Sequence, residues 1–340
     1  MMLDDLNIIK IYSKNNLMYM AIIELTTNCN FRCKHCFIDS FNNYGLDTVE
    51  IKKLLYELRT NGVYEVQFTG GEIFLRKDIV ELITYARALK FKVILLTNLY
   101  LIDDAMIKFL QDVHVELIST TLFSLDEEKN DNITNFKGST RKIINNLIKI
   151  SRTNIRVQVK TIVMKDTEED YIEIQKFCKN NNIEYLATEG IFPSFGGCDL
   201  PRKLSMTNQQ LKDNIENLDK IRFGDIYYKE KSDDECICCE LNYSLFISSD
   251  GNIYPCNLWF KKLGNIKNNS IQEIWNSKYL RDIKNTKWKD LHKCSNCDKK
   301  NFCIRCTGIV YSLKNDILLE DEFACRTAKI RKSLYEKKYL

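Results

Sequence analysis

The sequence predicts an α/β fold: a partial (β/α)6 barrel of parallel strands followed by a C-terminal cysteine-rich domain. Three observations lead there. Short apolar runs alternate with amphipathic stretches over the first two thirds of the 340 residues. The alternation stops near residue 192. From Cys236 onward, nine cysteines fall within 90 residues. Strands alternating with helices of about 10–15 residues read as βαβ units around a parallel sheet.

The predicted strands are 21–26, 65–69, 92–97, 115–121, 156–163 and 185–191. Helical patterns lie between them at 48–59, 78–88, 103–110, 139–151 and 168–181. Thr48, Asp78, Asp103 and Ser139 are of the residue types that cap helix N-termini. Six such units suffice for a curved, open barrel. The stretch Pro193-Ser194-Phe195-Gly196-Gly197 reads as a loop leaving the sheet, with a helix expected at 207–218. The implied division is 1–20 as an N-terminal extension, 21–200 as the barrel, 201–235 as a connecting helical segment and 236–340 as a separate, metal-stapled domain. The last part has too few long apolar elements to hold a core alone.

Fifty basic and 46 acidic residues leave a net charge of +4, and no basic stripe marks a nucleic-acid partner. No apolar run approaches the roughly 18 residues of a membrane span. The first ten residues carry two Asp before any Lys and no apolar signal core. A cytoplasmic location is expected. There, 14 cysteines point to metal rather than to disulfides.

Cys29-Asn30-Phe31-Arg32-Cys33-Lys34-His35-Cys36 places three thiols at C-x3-C-x2-C spacing just after the first strand. Three thiolates on one tight loop can each hold one corner of a cubane, leaving the fourth iron open for chemistry. Thr69-Gly70-Gly71-Glu72 closes the second predicted strand. Glycines there let backbone approach a ligand closely, and Glu72 supplies an acceptor for an ammonium group.

On these two motifs the chain resembles the radical S-adenosylmethionine (SAM) superfamily over roughly residues 20–192. The resemblance implies a catalytic 4Fe–4S cluster on Cys29, Cys33 and Cys36 whose open iron chelates SAM. It implies reductive SAM cleavage and hydrogen abstraction from an unactivated C–H bond. It also places Gly70, Gly71 and Glu72 at the SAM amino group, His35 beside the adenine and Asn98 of Leu96-Thr97-Asn98 at the third strand end. Within Ser119 to Ser124 it favours Ser124, before Leu125-Asp126, at the ribose and carboxylate. Related maturases carry an Arg after the fourth strand. This chain reads Asn130-Asp131-Asn132-Ile133-Thr134 instead, and Lys137 is the expected substitute.

Cys236, Cys238 and Cys239 precede Gly251-Asn252-Ile253-Tyr254-Pro255-Cys256. Cys294-x2-Cys297-x5-Cys303-x2-Cys306 and Cys325 follow. The set resembles the SPASM extension of radical SAM enzymes, although the last spacing of the central run is x2 where the family has x3. Paired C-x2-C segments alone would fit a zinc ribbon equally well; the upstream triad tips the reading to iron and sulfur. The resemblance implies two auxiliary 4Fe–4S clusters. The first takes Cys239 or Cys238, Cys256 and Cys306, with Cys236 as fourth; the second takes Cys294, Cys297, Cys303 and Cys325. One thiol among Cys236, Cys238 and Cys239 is left over.

SPASM-bearing enzymes mostly modify peptides or proteins. The function expected is therefore maturation of a ribosomally synthesised peptide, giving epimerisation, a thioether or a carbon crosslink. The alternatives are an anaerobic sulfatase maturase making formylglycine, and a non-catalytic iron–sulfur or zinc protein. Expected partners are the precursor peptide and an electron donor such as flavodoxin or ferredoxin. About 20 residues precede the first strand, too few for a leader-recognition domain. The leader is thus expected to bind the barrel, the region around 200–235 or a separate protein. Cys178 reads as a core residue. Cys198, just past the sixth strand, is a candidate hydrogen donor at the barrel mouth.

Overall fold

A computed structural model describes residues 3–195, 197–238 and 240–339. After helix α1 (Leu3–Lys14), six parallel strands follow: β1 (Met20–Glu24), β2 (Glu65–Thr69), β3 (Lys92–Leu96), β4 (Leu117–Thr121), β5 (Arg156–Ile162) and β6 (Glu184–Thr188). The helices between them are α2 (Thr48–Thr60), α3 (Ile79–Ala88), α4 (Asp104–Asp112), α5 (Glu127–Thr134), α6 (Ser139–Ser151) and α7 (Asp170–Asn180). All six predicted strands are present, paired in sequence order with parallel register such as Ile23↔Phe68 and Val159↔Tyr185. Apolar residues such as Ala21, Phe68, Leu95, Ile118 and Val159 are fully buried, as strands covered on both faces require.

Local capping departs from the expected pattern. Asp103 does cap α4, accepting from the Met106 amide at 2.8 Å. On α2 the cap is Asp47, in a reciprocal box with Glu50, while the Thr48 hydroxyl donates to Asp78 at 2.7 Å. Asp78 itself is held by Arg76 and makes no capping bond. On α6 the cap is Gly138, and the Ser139 hydroxyl donates to Asp131. In each case a nearby stronger partner takes the side chain from its own helix end.

The cysteine-rich part does not build a sheet of its own, and beyond a small cluster of Ile237, Trp288, Leu291 and Cys294 it packs on the barrel. Helix α8 (Asn208–Phe223) leads to β7 (Ser244–Ile247), β8 (Asn252–Tyr254) and β9 (Gly264–Asn265). Strand β7 pairs parallel with β1, so the described strands form one sheet in the order β6-β5-β4-β3-β2-β1-β7-β8-β9. Helices α9 (Ile271–Trp275) and α10 (Lys278–Lys284) then contribute Ile274, Trp275, Leu280 and Ile283 to the barrel's own hydrophobic cluster. Helices α11 (Thr307–Lys314) and α12 (Glu322–Tyr339) complete the chain. Buried Glu24 at the end of β1 accepts from the Ser249 amide at 3.0 Å, tying the first strand to the end of β7.

On the far edge, Arg331 of α12 is fully buried. It bonds Asp219 of α8 at 2.8 and 2.9 Å and Glu189, just past β6, at 2.7 Å. Burial alone would raise the Glu189 carboxyl, but Arg331 and Arg222 hold it below its usual value. Removing Arg331 leaves buried Asp219 without its cation and Glu189 with Arg222 alone. Arg331→Ala is therefore expected to lower unfolding stability by about 3–5 kcal/mol, read from urea denaturation.

Candidate functional site

The carboxyl ends of the parallel strands, where open α/β sheets bind ligands, converge on one pocket. Thr69, Gly70 and Gly71 line it from β2, Leu96, Thr97 and Asn98 from β3, Ser119, Thr120 and Thr121 from β4, and Lys160 from β5. The loop after β1 closes it with Cys29, Cys33, His35 and Cys36. The structure thus brings the cysteine triad and the Gly-Gly segment together across 40 residues of sequence.

Backbone bonds fix that loop. The Gly71 amide donates to Thr26 O and the Glu72 amide to Asn28 O, both at 2.8 Å. The Arg32 and Lys34 amides each donate at 3.0 Å to Thr134 O and Ile133 O, the carbonyls ending α5. On the other side, Arg76 Nη1 gathers the carbonyls of Leu25, Tyr44 and Leu46 at 2.8–3.0 Å. Helix α5 was not foreseen from the sequence; its Asp126 cap, accepting from the Lys129 amide, was the available signal.

Gly70 and Gly71 are required by this packing. A Cβ at Gly70 would lie 2.3 Å from Thr26 O, and one at Gly71 would lie 2.2 Å from Asn28 O. The glycines admit the cysteine loop against β2, a tighter demand than the ligand approach first inferred. Glu72 also departs from expectation. It is fully buried and absent from the pocket lining. Its oxygens accept from the Phe74 amide (3.0 Å), the Thr97 hydroxyl (2.9 Å) and the Asn98 amide (2.8 Å). It braces the ends of β2 and β3, its carboxylate engaged by these three donors. Burial raises its proton affinity, opposed by these same bonds.

Asn98 stands as expected, lining the pocket and donating to Asn30 Oδ1 at 2.8 Å. Ser124 does not: it is fully buried, accepts from the Asp126 amide and lies outside the lining, where Ser119 takes its place. Lys137 lies outside as well, in a cleft with Glu127, Glu128, Asp131 and Arg141. Asp131 is spent on Gly138, Ser139 and Thr140. Cys198 is exposed in another cleft, beside Arg202, Lys203, Phe323 and Arg326, and does not line this pocket. Cys178 is fully buried in the core.

The pocket suits a cluster and a polar ligand. Burial pushes Cys29 up to about 11 and raises Cys33 and Cys36 as well, with the thiols repelling one another once charged. Cationic iron supplies the compensation such thiolates need. Burial lowers His35 to about 4, which leaves it neutral. His35 Nδ1 and Thr120 Oγ1 are buried without a protein partner, and both residues line the pocket.

The later cysteines fall into two groups. The charges of Cys294 and Cys297 act on Cys325, and those of Cys325 and Cys294 act on Cys303. These are the four residues that the resemblance assigns to the second auxiliary cluster, and Cys306 acts with Cys294 and Cys303 on Arg305. Elsewhere, a Cβ at Gly308 in the first turn of α11 would lie 3.3 Å from Cys256 Sγ. The Thr307 hydroxyl donates to Ile237 O, bringing Cys256, Cys306 and the Cys236–Cys238 segment to one place. Cys239 lies outside the described residues. Among the described residues, no three His, Cys, Asp or Glu groups converge on a single-ion site. Cubane ligands sit on separate irons, so this does not count against clusters. No described helix is long and apolar enough to cross a membrane.

Known proteins agree with this layout. The radical SAM superfamily model matches residues 23–178, and the SPASM iron–sulfur cluster-binding domain matches 236–298. An AdoMet-dependent heme synthase of Methanosarcina barkeri is 23% identical over 88% of this chain and 94% of its own length. A cysteine-type anaerobic sulfatase-maturating enzyme of Clostridium novyi is 24% identical over 84% of this chain and 86% of its own. The subtilosin biosynthesis protein AlbA of Bacillus subtilis is 27% identical over 77% of this chain, which spans 60% of that protein. Streptococcus suis SuiB bound to its precursor peptide SuiA superposes with a TM-score of 0.68 at 19% identity, over 95% of this chain and 80% of SuiB. At that identity the likeness is one of fold.

If Glu72 is a brace, its loss must show without any ligand. Glu72→Ala strands the amides of Phe74 and Asn98 and is expected to cost the cluster-free chain about 2–4 kcal/mol in chemical denaturation. A carboxylate serving only as a ligand group would leave that stability unchanged.

Proposed function

We propose that this chain, a radical SAM enzyme with a C-terminal SPASM domain, is a maturase that modifies a ribosomally synthesised peptide. The observation that carries the reading is the single pocket joining the cysteine triad to the strand ends. AlbA and the peptide-bound SuiB structure support a peptide as substrate. Cys29, Cys33 and Cys36 hold the catalytic cluster, and the SPASM cysteines hold the auxiliary clusters. When loaded, the catalytic cluster and SAM supply a carbon radical able to take hydrogen from an unactivated C–H bond.

The chain's own residues bind and orient. Gly70 and Gly71 set the wall against which SAM lies, with Glu72 fixing that wall from behind. Asn98 and Ser119 offer polar groups to the ligand, and His35, neutral and packed edge-on to Phe123 at 4.6 Å, faces its adenine. Lys160 pairs with the SAM carboxylate; it is the one Lys or Arg among the described residues lining the pocket. It takes the role of the Arg absent after β4 in preference to Lys137, which lines another cleft. A precursor peptide enters from the open side of the pocket. Flavodoxin or ferredoxin delivers the electron, and a separate protein can present the leader.

Two measurements test this. Reduced, reconstituted protein should cleave SAM to 5′-deoxyadenosine, and changing Cys29, Cys33 and Cys36 to Ala together should abolish cleavage while the auxiliary clusters remain. Deoxyadenosine at the wild-type rate from that variant contradicts the assignment. Lys160→Met should weaken SAM binding roughly 10- to 150-fold, the size of one lost charge-assisted hydrogen bond, in equilibrium binding to the loaded enzyme. Unchanged affinity removes Lys160 from the site.

A further inference from the structure

A half-buried cation stands among the C-terminal cysteines. Arg305 lies between Cys303 and Cys306 in sequence, and three bonds hold its guanidinium. Nη1 donates to Thr307 Oγ1 at 3.0 Å, and Nη2 donates to Leu319 O at 2.8 Å and to Ile317 O. All three acceptors are neutral. Nε is buried and has no partner in the protein. The anionic groups that act on Arg305 are Cys294, Asp321, Cys303 and Cys306. Asp321 is engaged elsewhere, accepting from the Ala324 amide at 3.1 Å and the Cys306 amide at 3.4 Å. A half-buried guanidinium whose buried Nε–H is unused, with no carboxylate bound to it, is costly unless negative charge arrives from another source.

We propose that Arg305 is a positioning residue for the second auxiliary cluster: its fixed charge and unused Nε–H serve the thiolate and sulfide shell held by Cys294, Cys297, Cys303 and Cys325. This rests on the auxiliary-cluster reading. A 4Fe–4S cluster with four thiolates is a dianion when oxidised and a trianion after taking one electron. A fixed positive charge beside it stabilises the reduced form more and raises the midpoint potential. Lys231 adds to the same side of the site, donating to Cys303 O at 2.8 Å and Lys300 O at 2.9 Å. Its ammonium is tied to backbone, whereas Arg305 keeps a donor unspent.

The test is a potentiometric titration of the full reconstituted chain, carried in the Cys29/Cys33/Cys36→Ala background so that only auxiliary clusters report. Iron is counted first; two auxiliary cubanes hold about 8 irons. Arg305→Gln should move one midpoint to more negative potential with iron content unchanged, and Arg305→Lys should restore it. A full complement of iron with both midpoints unmoved in Arg305→Gln overturns the inference. If the Gln variant loses a cluster, the Lys variant decides. A cluster at the wild-type potential supports the counter-charge, and failure to assemble one shows a purely structural fork and overturns it. Zinc in place of iron in the Arg305-containing parent overturns the auxiliary-cluster reading itself, an outcome distinct from an unmoved midpoint.

Discussion

Everything at the pocket depends on the contact between the loop after β1 and the end of β2. Two amide bonds, from Gly71 to Thr26 and from Glu72 to Asn28, pin the cysteine-bearing loop onto the sheet. The approach is so close that neither glycine could carry a Cβ. Glu72 then passes the constraint sideways, because its carboxylate joins that same turn to Thr97 and Asn98 at the end of β3. Three strand ends and the loop bearing Cys29, Cys33 and Cys36 are therefore tied into one unit. Such a unit can present an open iron and a binding wall in fixed relation before any ligand arrives, which is the preorganisation that radical chemistry needs to stay on course.

The same economy joins the two halves of the chain. Because β7 pairs with β1, the cysteine-rich part inherits the barrel's sheet and core. Glu24 and Asn43 reinforce the seam through Ser249, the latter side chain also accepting from the Gly45 amide inside the catalytic loop. The loop bearing Cys29, Cys33 and Cys36 follows β1, and Cys256 follows β8 of the same sheet. On the opposite edge, the Arg331 network fastens α12 across α8 to the end of β6, holding the C-terminal cysteine region against the barrel from its second side.

Much of this was legible in the sequence because its signals are periodic or strictly spaced. The six parallel strands showed as apolar runs, and the triad and Gly-Gly-Glu showed as motifs. What the sequence hid was the direction in which side chains point once the chain closes. Glu72 turns inward because three donors await it there. Ser124 is drawn to the Asp126 amide, leaving the pocket to Ser119. Lys160 sits on a β5 strand of alternating burial and looked like any exposed strand lysine, whereas Lys137 stood nearer the missing Arg in sequence. Cys198 follows the last barrel strand but lines a different cleft. The β7–β1 pairing joins residues more than 200 apart, and no local pattern encodes it.

The central claim is that Cys29, Cys33 and Cys36 hold a cluster whose open iron lies in the same pocket as the SAM site. Electron paramagnetic resonance of the reduced, fully loaded chain, recorded with and without SAM, tests it most directly. The account predicts that SAM changes the g-values of one cluster signal and leaves the auxiliary signals in place. Spectra that SAM leaves unaltered, with SAM nonetheless bound, would contradict it.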